Sequence, residues 1–145
     1  MSASPRVRLT AVALAVPLVV ALAACENDAK KAKETASQPC SSDITQSAST
    51  ALPSDVPAPN GKAYSSSNQG KTQVWFYAVD GGPDQIESLR DAYDNQLTGK
   101  GYTITHTDQE DGAEAESEFK GPHEGTTNFR PLCTGKVVLR LKLTS

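Results

Sequence analysis

Apolar residues along this chain fall into one long run near the start and then into short alternating stretches set between polar ones. The run extends from Leu9 to Leu22 and is interrupted only by Thr10 and Pro17. From Glu26 to about Asn60 large apolar side chains almost vanish. Such a composition buries too little surface to offset its ordering entropy, so the segment reads as a flexible polar tether in which only Ala51, Leu52 and Val56 have anything to pack. Beyond it, Lys62 to Ser67 and Thr72 to Val79 flank the turn-prone Asn68-Gln69-Gly70 and predict a hairpin. In the second of these strands Val74, Phe76 and Ala78 alternate with Trp75, Tyr77 and Val79, so both faces are apolar.

Asp80-Gly81-Gly82-Pro83 breaks the strand, and Pro83 suits the first turn of a helix, where its missing N–H would have no partner anyway. Ile86, Leu89, Tyr93 and Leu97, with Ala92 beside them, form one stripe of a 3.6-residue period and predict a helix to about Thr98. Gly99 is a natural stop. Tyr102 to Thr107 predicts a strand, Asp108 to Gly112 a turn, and Ala113 to Lys120 a strand whose Glu114, Glu116 and Glu118 share one face. The last predicted strand, Lys136 to Leu143, puts Val137, Leu139, Leu141 and Leu143 inward and Lys136, Val138, Arg140 and Lys142 outward. If these two strands are neighbours, glutamates and cations form an outer ladder. Gly121 to Gly135 is left as an irregular connection. The sum is an α+β fold of order β-β-α-β-β-β: a small mixed or antiparallel sheet, one helix on one face, in a single domain over residues 61–145.

The start of the chain changes the picture from fold to address. Arg6 and Arg8 precede the apolar run, small residues Ala23 and Ala24 follow it, and no acid occurs before Glu26. The run is shorter than the roughly 20 residues that cross a bilayer, so it predicts a cleaved export signal over residues 1–24. Leu22-Ala23-Ala24-Cys25 resembles the lipobox of bacterial membrane lipoproteins. That resemblance covers residues 1–25 and implies a diacylglyceryl group on the Cys25 thiol, cleavage that makes Cys25 the first residue, and a protein held on the extracytoplasmic face of a membrane. The alternative is an ordinary cleaved signal whose first mature residue is a cysteine. Two acyl chains suffice as an anchor, since each buried methylene contributes about 0.8 kcal/mol. The outline of signal, polar tether (residues 25–60) and one α+β domain also resembles many small lipoproteins of the cell envelope.

With Cys25 lipidated, Cys40 and Cys133 remain as a pair in an oxidising compartment, and a disulfide is expected between them. Closing that loop stabilises by about 4 to 5 kcal/mol in the chain-entropy description, a large share of what a core of this size supplies. Two free thiols on a metal are the alternative, although isolated cysteines make poor zinc ligands. Removal of residues 1–24 takes two cations and no acids, leaving 12 against 17 and a net charge of −5. Neither that balance nor any basic cluster offers nucleic acid a partner. Lys30, Lys31 and Lys33 could meet anionic headgroups, but Glu26, Asp28 and Glu34 offset them.

Motifs that carry chemistry are sparse, and no catalytic serine, cysteine or acid pair stands out. His106 and His123 could join Glu118 or Glu124 at a metal, Asp108 to Gly112 could hold calcium, and Asp80-Gly81-Gly82 could cradle an anion. Strand ends and turns account for each, so no metal or cofactor is expected. With Val137 to Leu143 facing the core, Trp75, Tyr77, Val79 and Val138 are assigned to an outer stripe. This stripe is a candidate partner patch unless residues 41–60 fold back over it. The Gly121–Gly135 connection, with His123, Phe129 and Arg130, is a second candidate. The expected function is a non-enzymatic binding or supporting role in the envelope, with an envelope protein as partner. An inhibitor or small enzyme acting on envelope or secreted proteins, and a small-ligand module, are the alternatives.

Overall fold

The computed structural model describes residues 23–144, with side chains from Asp28 onward, so the Leu9–Leu22 run and the Cys25 thiol lie outside what is described. Among the described residues are two α-helices and six strands: α1 (Ala23–Ala36), β1 (Gly61–Gln69), β2 (Thr72–Asp80), α2 (Ile86–Gly99), β3 (Thr103–Glu110), β4 (Glu114–Lys120), β5 (Glu124–Cys133) and β6 (Lys136–Thr144). The strands form one antiparallel sheet in the order β1-β2-β6-β5-β4-β3, so the fold is α+β. A β1–β2 hairpin is thus joined through α2 to a four-strand meander whose last strand returns to pair with β2.

One face of the sheet is dry. Val137, Leu139, Leu141 and Leu143 of β6 lie there beside Trp75, Tyr77 and Val79 of β2, because the register opposes Trp75 to Leu141, Tyr77 to Leu139 and Val79 to Val137. Helix α2 lays Ile86, Tyr93 and Leu97 on the β3–β5 half of that face. Residues 48–60 cross the remainder as a strap. Val56 enters the core, the Trp75 indole N–H donates to the Thr50 carbonyl at 2.9 Å, and the Tyr93 hydroxyl donates to the Pro57 carbonyl at 2.9 Å.

Three expectations are corrected here. Trp75, Tyr77 and Val79 are not an outer patch: they are 1%, 6% and 4% exposed on the core face, while Val138 opposes Ala78 on the opposite face. The assignment failed because β2 is apolar on both sides, so alternation alone cannot tell which side turns inward. Gly121–Gly135 is not an irregular connection, since it contains β5. That strand separates β4 from β6, so the glutamates and the β6 cations are not adjacent. The segment expected to be a tether contains helix α1, whose Ala32 is buried against β5, a short 3-10 turn (Ser42–Thr45), and the strap.

The Cys40–Cys133 disulfide is present, with a Cα–Cα distance of 5.0 Å. Beside it, the Thr134 N–H and hydroxyl both donate to the Gln38 carbonyl, at 2.9 and 3.0 Å. The bridge therefore pins the end of α1 and the entry to the strap onto the β5–β6 turn.

Candidate functional site

The second face of the sheet is open, and β4, β5 and β6 supply its polar centre. Period-two alternation sends Ala115, Ser117 and Phe119 of β4 into the core and Glu114, Glu116 and Glu118 out. The same rule sends Thr127 and Phe129 of β5 inward and Thr126, Asn128 and Arg130 outward. Gly125 allows β5 its close approach. A Cβ there would meet the Lys142 carbonyl oxygen at 2.4 Å and the Phe119 ring at 2.5 Å.

At the centre the Asn128 side-chain amide donates to both Glu114 and Glu116, and Arg130 donates to Glu114 Oε1 at 2.5 Å. The surroundings push the two acids apart. Burial would raise Glu114, but hydrogen bonds from Arg130, Glu116 and Asn128 outweigh it and hold this carboxyl below its usual range. Glu116 is raised, first by its hydrogen bond to Glu114 and then by burial. The two acids are joined through one amide, so the arrangement is a polar anchor fixed within the sheet. Phe76, Val138 and Arg140 extend it into a cavity of about 350 Å³, and on the α1 side Arg130 and Glu114 border a cleft of about 320 Å³ with Lys31 and Asp28.

The other candidates do not converge. His106 opposes Glu118 on the open face, while the His123 Nε2 lies 3.1 Å from Asp55 of the strap. Glu124 pairs with Lys120 at 3.7 Å. Among the described residues, no three of His, Cys, Asp and Glu come together in a way that could hold a metal. The acidic run forms the end of β3 and its turn, with Gly112 at a φ of 66°. At the Gly-Gly step the amides are already used: the Gly81 N–H donates to Gly135 and the Gly82 N–H to the Gln85 side chain. In the second candidate segment Phe129 is buried in the core and only Arg130 joins the open face.

Asn128 is the site residue that sequence reasoning missed. Its signal is the alternation Thr126, Asn128, Arg130 at the same period as Glu114, Glu116, Glu118, masked by flanking Gly125 and Pro131. Among the described residues no helix is long and apolar enough to cross a membrane. No family model, curated protein or solved structure matches the chain.

Proposed function

We propose that the protein is a lipid-anchored extracytoplasmic binding module of the bacterial cell envelope, without catalytic activity, held at the membrane through Cys25. The observation that carries this reading is the sequence Leu22-Ala23-Ala24-Cys25 at the end of a charged and then apolar N-terminus. The bridge between the other two cysteines supports it, because structural disulfides belong to oxidising compartments. The carboxyl–amide–guanidinium centre of the open face gives it a fixed polar anchor for contact with another molecule.

Helix α1 gives this reading a geometry. Cys25 lies in its first turn, and eleven residues on, at about 1.5 Å each, Ala36 lies only about 16 Å away. A lipid on Cys25 would hold the domain close to the bilayer.

Mass spectrometry of the processed protein tests the anchor. The expected result is a mature N-terminus at Cys25 carrying a diacylglyceryl mass, and loss of detergent-phase partitioning in Cys25→Ala. A Cys25→Ala protein that partitions as firmly as the natural one would refute the reading.

A further inference from the structure

Across the open face, register sets the side chains in rows. Glu118, Thr126 and Lys142 form one, and Glu116, Asn128 and Arg140 the next, each reading acid on β4, neutral on β5, cation on β6. In these two rows the order of charge is therefore antisymmetric about β5, while the flanking rows close their charges in their own ion pairs, Lys120 with Glu124 and Arg130 with Glu114. Among the described residues Glu118, Arg140 and Lys142 take part in no ion pair, although Lys136, Arg130 and Lys120 all do. Three charges of a mixed face are thus left without a counter-charge inside the chain.

A two-fold axis running along β5, parallel to the strands, carries β4 of one copy over β6 of the other. It would lay Glu118 against Lys142 and Glu116 against Arg140, and by symmetry each pair occurs twice. Arg130 and Glu124 would each approach their own copy near that axis, but Glu114 and Lys120 already neutralise them. The opposed charges lie on β4 and β6, so these strands, with β5 between them, form the centre of the contact. Antisymmetry is a demand that only self-pairing makes, because an unrelated partner would be served by any complementary charge pattern. We propose that the open face is the contact surface of a two-fold dimer and that its occupant is a second copy of this chain. The dimer goes beyond the anchoring reading and does not require it, since the rows exist whether or not Cys25 carries lipid.

Sedimentation of the full processed protein in detergent micelles tests it. The expected result is a dimer at low salt that dissociates as salt rises. Arg140→Glu and Lys142→Glu are each expected to raise the dissociation constant roughly tenfold or more, since they set like charges face to face. Lys142→Glu combined with Glu118→Lys restores dimerisation, because the reversed pairs still oppose. Lys100→Glu, just past the end of α2, changes nothing. Circular dichroism of each variant separates loss of contact from loss of fold. A monomer at every protein concentration, as for a face reserved for a different protein, would overturn the proposal. So would a dimer indifferent to the reversals, or a folded double variant that stays monomeric.

Discussion

Asp94 is a carboxyl buried in the core. It lies on α2 facing the sheet, its Oδ2 accepts from the Ser117 hydroxyl at 2.6 Å, and among the described residues its Oδ1 and the Oγ1 of Thr127, which opposes Ser117, have no hydrogen-bond partner. Burial raises its pKa above the ordinary 3.8, against the opposing pull of Ser117 and Arg90. A raised acid binds its proton more tightly folded than unfolded. Its contribution is therefore most favourable below 3.8 and is lost as pH rises through the folded value. Asp94→Asn should stabilise the protein by about 1 kcal/mol near neutral pH, with the gain vanishing in acid, as thermal unfolding at the two pH values would show. Glu114 has the opposite sign: its lowered pKa contributes stability above the unfolded value that is lost as pH falls through the folded one. Carboxyl NMR titration should find Glu116 above and Glu114 below the ordinary 4.5, with the gap narrowed in Arg130→Gln. Trp75, with its indole N–H on the strap, should cost about 3 to 5 kcal/mol as Trp75→Ala, whereas Val138→Ala on the open face should cost under about 1 kcal/mol in denaturant unfolding.

Among the elements, β5 was hidden, and the strap was read as a tether, although its fold-back over Trp75 was foreseen as the alternative to an exposed stripe. β5 carries Gly125, Asn128 and Pro131, residues that weaken a strand pattern, yet it is central over most of its length. Pro131 is tolerated because the pairing with β4 ends at Ala115 opposite Phe129, and beyond that point β5 is an edge. The hairpin, α2 and β6 were legible because turn residues, a 3.6-residue stripe and four alternating apolar positions each report on local geometry. Residues 48–60 carried no such period, since a strap packs through isolated contacts such as Val56 and backbone carbonyls. Its anchor at Cys40 has a measurable weight. Cys40→Ser with Cys133→Ser, opening a loop of 93 residue steps, should cost about 4 to 5 kcal/mol, and hydrogen exchange should rise in α1 well before it rises in β6.

For the whole molecule, the strap changes what may be cut away. Deleting residues 26–36 should leave a folded domain, because α1 buries little beyond Ala32. Deleting residues 41–60 removes the segment that Trp75 and Tyr93 bind and should give an aggregating or unfolded product, read by circular dichroism and sedimentation. A tether of no structural consequence would make the two deletions equivalent. By itself the sequence determined the α+β class and the pairing of Cys40 with Cys133, and it alone carries the proposed export signal and lipid site. Each of these is written in local pattern, in composition or in the arithmetic of three thiols. Only tertiary structure decided which side of β2 faces inward, that β5 stands between the acidic and basic strands, and that Asn128 joins Glu114 to Glu116. The reason is physical. Alternation fixes that two faces differ, but which face becomes the core depends on the register between strands far apart in the chain, and on a strap and a helix competing to cover one of them.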